Sequence, residues 1–412
     1  MKKIVEIFLG VMTALGGFVD IGELVFTAQG GARFGYCLLW AVVLGTIGIG
    51  VYSEMCGRIA AVAHQPVFVV IRQRLGVKSS FVVWLASTIV NVMTCAAEIG
   101  GIALLLKLLT GFGPQWMPFA VAAVMIALIA LLPFKWIERF FGLIGLSMIV
   151  FLVAAIAIGP DWSKVGKGLV PNIPSDLSGR DLMIYAYMIV GLLGSIMMPY
   201  EVYFYSSGGI EEQWKPEDIP INKVISSVGF GLGMLVAMAI MVLGAAIFYP
   251  RNIDPDVVGS PALLVGEPYG TIGIVLALIG GITTVAGAAA ETALAGAYNF
   301  AQYFNKPWGR SLPMKQTPAF DGAWIAMLVI AAAIMVTGID PIVIVELAII
   351  AAVICLPFTY LPILLTARDK AIMGEHVNGP IANGLGWAFF ILITVVAIAA
   401  PILLVATGMG SY

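Results

Sequence analysis

Asp20 and Glu23 sit in the stretch Gly16-Gly17-Phe18-Val19-Asp20-Ile21-Gly22-Glu23, and Glu201 closes Met197-Met198-Pro199-Tyr200-Glu201. Both stretches interrupt long apolar runs. A carboxylate at mid-membrane depth costs about 2.5–3.5 kcal/mol on insertion scales, so each acid is a candidate functional group. Glycine weakens the first helix, and carbonyls freed near Gly17 become ligands where backbone lines a cavity. Pro199 has no amide proton and clashes with the preceding turn, so carbonyls around Ser195 lose their partner. Asp20, Glu23 and such carbonyls are the hard oxygen ligands a metal cation needs. Met198 adds a soft thioether, which favours manganese, iron or cadmium over magnesium or calcium. A lone methionine in a bundle is usually filler. Beside Pro199 and opposite an acidic break it reads as a ligand. A surface helix end with Asp20 as its cap is the rival reading, and the apolar residues on both sides of Asp20-Glu23 count against it.

Three further acids lie inside apolar segments. Glu98, in Cys95-Ala96-Ala97-Glu98-Ile99-Gly100-Gly101, is a proton acceptor or an acid bonded to a neighbouring helix. Glu291 and Glu346 suit structural pairing and a hydrated pathway equally well. Glu54 stands four residues before Arg58, where an i,i+4 ion pair at the interface is the simpler explanation. His64 and His376 read as loop histidines, and Arg72, Arg74 and Lys78 as a topology signal near lipid head groups.

The elements that position these residues are membrane spans. The chain is 61% hydrophobic and 11% charged, far outside a soluble average. Eleven spans are expected, roughly at 4–31 (broken), 34–57, 81–109, 116–134, 139–159, 182–208 (broken), 222–249, 266–302, 319–338, 341–366 and 384–409. Those over 25 residues imply tilt or kinks. The first run follows Lys2-Lys3 but lacks a small-residue cleavage site, so it reads as a span and not a signal peptide. Of the 21 Lys and Arg, fifteen fall on the N-terminal side of the membrane and six on the other. That bias puts the N-terminus in the cytoplasm and the C-terminus outside. The broken spans, one and six, are separated by an odd number of steps. One membrane domain over 1–412 is therefore expected, with inverted repeats at 4–159 and 182–366 and an additional helix at 384–409. Net charge of −2 and no basic cluster exclude nucleic acid as a partner. Cys37, Cys56, Cys95 and Cys355 lie scattered in apolar segments, which argues against disulfides or structural zinc.

At this point the residues resemble the Nramp metal transporters. The first span continues as Gln29-Gly30-Gly31-Ala32-Arg33-Phe34-Gly35-Tyr36 and Leu39-Trp40, similar to a Gly-Ala-Arg-Phe-Gly-Tyr stretch that follows the family's Asp-Pro-Gly-Asn break. Met198-Pro199-Tyr200-Glu201 resembles its Met-Pro-His-Asn segment. Leu356-Pro357-Phe358 and Ile372-Met373-Gly374-Glu375-His376-Val377-Asn378 look like its tenth span and the loop beyond. The resemblance implies an all-α LeuT-like fold that moves divalent metal ions into the cytoplasm by alternating access, with the ion as substrate and no resident cofactor. It implies that Asp20 and Met198 are metal ligands, that the carbonyls of Gly17 and Ser195 join them, and that Glu23 replaces an asparagine ligand. Glu98 matches one acid of the family's proton route.

The departures carry expectations of their own. Ile21 replaces the family's proline, Glu23 and Glu201 replace asparagines, and Tyr200 replaces a histidine. Cys95 and Thr88 replace two acids of the proton route, and Cys355 stands at a common glutamine near the metal. A tyrosine cannot titrate near neutral pH as histidine does, so proton symport is expected to be weak or altered. Extra carboxylates make the site harder and suit magnesium, whereas Met198 favours manganese or iron. A carrier of an organic cation or other small solute is the alternative. No protease pattern or nucleotide loop points to an enzyme. The expected partners are the ion and the lipid bilayer, and the expected state is a monomer in the cell membrane.

Overall fold

The computed structural model describes residues 19–133, 136, 145–174, 177 and 179–410. Gly17, the stretch 4–18 of the first expected span and the start of the fifth lie outside the described residues. The principal helices are α1 (Ile21–Phe34), α2 (Leu39–Ala63), α3 (Val67–Thr110), α4 (Met117–Leu131), α5 (Ile149–Ile158) and α6 (Arg180–Ile196). They continue as α7 (Pro199–Glu211), α8 (Phe230–Ile247), α9 (Ser260–Tyr303), α10 (Pro318–Val336), α11 (Pro341–Ala367) and α12 (Pro380–Thr407). Each expected span meets a helix, whole or in part. Eight helical stretches among the described residues are long and apolar enough to cross a membrane, with Met117–Leu131 and Leu146–Ile158 shorter but apolar.

The differences from the expected boundaries have local causes. α3 and α9 overrun their spans because each includes a helical approach before a kink. Gly76 (φ 76°) and Gly270 (φ 59°) adopt left-handed backbone that only glycine enters at little cost. The membrane-crossing parts after those kinks begin close to where apolar composition begins. The seventh span opens as a short helix, Ile219–Val224, and a π-helical turn, Ile225–Gly229, before α8. The second span starts later and ends later than expected, closing at His64 in left-handed backbone (φ 50°).

α3 lies at the centre, packed along α9 and α11, and α1 runs against α8. Small residues permit that last approach: a Cβ on Gly31 would strike the backbone carbonyl of Met241, and one on Gly244 would lie 2.9 Å from the carbonyl of Ala28. α12 is peripheral. Ile391, Val395, Ile398, Ile402 and Val405 recur at helical spacing and are exposed, which is a lipid-facing stripe.

Charge pairs fasten both ends of the bundle. Arg58 grips Glu54 through two bonds of 2.9 Å, as its i,i+4 spacing suggests, and also reaches the His376 carbonyl and Asn378 at 2.6 Å. Arg74 binds Asp369 at 2.6 Å and Thr366 at 3.0 Å, and Arg72 donates to the Tyr303 carbonyl. Arg72 and Arg74 are thus fixed to the protein as well as placed for a charge bias. Asp369 is held below the ordinary carboxylate range by the Arg74 hydrogen bond. At the opposite end Arg33 binds Asp254 bidentately at 2.9 and 2.8 Å. Gly31→Val should lower the melting temperature of the purified protein, because its side chain meets backbone. Gly322→Ala, at a position with open space, should not. A thermal melt followed by size exclusion checks both.

Candidate cation site at two helix breaks

Asp20 begins α1. Its backbone is extended (φ −90°, ψ −175°), and its Oδ1 accepts the amide of Glu23 at 2.9 Å. It is a helix cap, as the rival reading had it, yet it is only 1% exposed. The helix therefore ends inside the bundle, and its N-terminal amides attract negative charge there. The sixth span is interrupted by a non-helical stretch. α6 stops at Ile196, Met197 and Met198 leave helical geometry (φ −109°, ψ 36° and φ −58°, ψ 135°), and α7 restarts at Pro199.

The helix start at Asp20 and the break in the sixth span touch. Tyr200 Oη donates to Asp20 Oδ2 at 3.4 Å. A Cβ placed on Gly22 would lie 3.1 Å from Asp20 Oδ1, 3.3 Å from Ser195 Cβ and 2.8 Å from Ile349 of α11. So Asp20, Ser195 and Tyr200 converge, with the tenth span against them. Met198 is fully buried beside Pro199. Glu23 and Glu201 are buried too, and neither oxygen of either carboxylate has a hydrogen-bond partner. Such a group is tolerated inside a bundle when a proton or a cation neutralises it. Among the described residues no three His, Cys, Asp or Glu side chains form a ready ligand cage. An ion here would draw on carbonyls and the thioether as well as on carboxylates.

The remaining residues singled out from sequence lie around this centre. Glu98 is buried on α3, where Thr292 of α9 donates to Oε1 at 3.4 Å and Oε2 has no partner. Glu291, next to Thr292, is half-buried. Glu346 stands one turn before Ile349 and accepts Tyr187 Oη at 3.4 Å. Cys355 is buried on α11, and its carbonyl accepts the Thr359 hydroxyl. Gly17 lies outside the described residues. Sequence reasoning missed Tyr360, whose hydroxyl donates to the Met197 carbonyl at 3.0 Å, and the Tyr203–Thr359 pair at 2.6 Å. Their only signal was a pair of hydroxyl residues straight after Leu356-Pro357-Phe358.

A buried helix start at Asp20 packed against the interrupted sixth span suits the LeuT fold, and comparison with solved structures shows that fold. A manganese transporter of Eremococcus coleocola superposes with a TM-score of 0.77 at 18% identity, covering 98% of this chain and 92% of the other. Mhp1, a nucleobase-cation-symport-1 family transporter, superposes at 0.57 with 15% identity, covering 97% and 92%. A divalent metal cation transporter MntH of Deinococcus radiodurans is 25% identical over 403 residues, 94% of this chain and 87% of the relative. The family model described as natural resistance-associated macrophage protein-like (Nramp) matches residues 10–403, and the chain belongs to that family.

The two orphaned carboxylates imply a trade between stability and function. Glu23→Gln removes a buried charge with no partner, so it should raise the melting temperature of the chelator-treated protein by a few degrees. An unchanged or lower value would mean that the Glu23 carboxylate is already neutralised within the fold.

Proposed function

We propose that this protein is a secondary transporter that moves divalent metal ions of the manganese and iron type into the cytoplasm by alternating access. The observation that carries the reading is the contact between the Asp20 break and the Met198 break. Family membership and relatives named as divalent metal cation transporters support it. The ion is the substrate, and no resident cofactor is involved.

In this reading Asp20, Met198 and the Ser195 carbonyl bind the ion, with the Gly17 carbonyl and Glu23 completing the set and Glu201 adjoining it. Met198 selects softer ions, since magnesium and calcium prefer oxygen alone. Glu98, Tyr200, Cys355, Glu291 and Glu346 belong to the surrounding pathway. Ion entry supplies the positive charge that Glu23 and Glu201 lack, so binding and desolvation are coupled at one place. Close acids titrate as a group, which lets a proton leave one of them as the ion arrives. Coupling would then run through the site itself and be weak or altered, because no histidine stands at Tyr200. The broken first and sixth spans support inverted repeats at 4–159 and 182–366, with 384–409 added. The bias of Lys and Arg supports a cytoplasmic N-terminus and an outer C-terminus, and the protein is taken as a monomer.

Two measurements test this. Asp20→Ala should abolish manganese uptake into proteoliposomes, and undiminished uptake would remove Asp20 from the site. Metal uptake by the unaltered protein should acidify the vesicle interior little or not at all. Strong metal-driven acidification, read with a trapped pH dye, would refute altered coupling.

A further inference from the structure

The break in the sixth span frees more than one carbonyl, and the fold treats them differently. A proline at position 199 has no amide proton to offer the carbonyl of Ser195, its partner in a continuous helix. The carbonyl of Met197 loses its partner for another reason: the amide of Glu201 bonds instead to Met198 O at 3.3 Å. A bare carbonyl at this depth is costly, or it becomes a ligand. Met197 O is neither, because Tyr360 of α11 donates to it at 3.0 Å.

Tyr360 is held for that task. It is fully buried, and its ring stacks on Tyr52 of α2 with centroids 4.1 Å apart and planes 22° from parallel. Tyr52 is fixed in turn by its hydroxyl, which donates to the Gly386 carbonyl of α12 at 2.9 Å. A relay of contacts from α12 through α2 to α11 thus ends on one backbone oxygen. One residue earlier, Thr359 pairs with the Tyr203 hydroxyl at 2.6 Å, so those two hydroxyls are engaged with each other.

We propose that Tyr360 is a specificity-determining positioning residue: by occupying the Met197 carbonyl it limits the hard oxygens offered beside the Met198 thioether. The inference rests on the metal-transport reading above and adds a residue to it. Hard ions such as calcium gain from each extra oxygen ligand, whereas a thioether favours softer ones. Withholding Met197 O therefore keeps the site biased toward manganese and cadmium. Removing the hydroxyl leaves that oxygen without its donor.

The test is competitive uptake of manganese, cadmium and calcium by the full chain in proteoliposomes. Tyr360→Phe keeps the ring and loses only the donor. It should raise calcium uptake relative to cadmium about fivefold, as one hydrogen bond's worth of preference is released. Tyr52→Leu, which removes the stack but not the hydroxyl, should shift the ratio the same way by less. Should Tyr360→Phe fail to fold, by size exclusion and thermal melt, Tyr52→Leu decides. An unchanged ratio in folded protein overturns the inference while leaving metal transport standing. Absence of uptake of all three ions by the unaltered protein overturns the transport reading itself.

Discussion

Inside a bilayer every backbone amide and carbonyl must find a partner within the protein, because no water is available to serve. At the Asp20 helix start and at the interruption of the sixth span, this fold meets that demand with side chains in place of helical bonds. Asp20 takes the amide of Glu23, Tyr360 takes the carbonyl of Met197, and Tyr200 reaches across from one break to the other. Such stretches survive only where surrounding helices shield them from lipid. That is why α3, α9 and α11 form the interior while α12 stays outside. The position of the site follows from backbone bonding before any ligand is considered.

Charge follows the same geography. Arginines are spent at the two ends of the bundle, where Arg33, Arg58 and Arg74 each hold a specific acid. The centre receives Asp20, Glu23, Glu98 and Glu201, and none of them is paired with a basic side chain among the described residues. A fixed ion pair there would be a wall, since its two charges satisfy each other. Unpaired acids instead keep the interior in need of a mobile positive charge. Glu23 and Glu201, which the resemblance marks as departures, are the two whose oxygens have no partner at all. The family's difference and the structure's unmet demand fall on the same residues.

Much of this was legible without coordinates. Apolar runs marked the spans, and proline, glycine and buried acids marked the breaks at Asp20-Ile21-Gly22-Glu23 and Met198-Pro199. Helical approaches such as Val67 to Gly76 were not legible, because the apolar run Val67 to Ile71 is far shorter than a membrane span and is followed at once by Arg72 and Arg74. Nor was the partner of Glu346: its acid type suited structural pairing and a pathway equally, and the Tyr187 hydroxyl that donates to it comes from far away in the chain.

By itself, the sequence determined composition-driven features: which segments enter the membrane, where their helices fail, and that the failures carry negative charge. These depend on local chemistry, the transfer of side chains and the missing amide of proline. Only the tertiary structure decided that the two failures touch, that Tyr360 claims the Met197 carbonyl, and that Glu23 and Glu201 stay unpartnered. Those depend on contacts between residues more than 150 positions apart, such as Asp20 with Tyr200, and no local pattern encodes which distant hydroxyl will reach which oxygen.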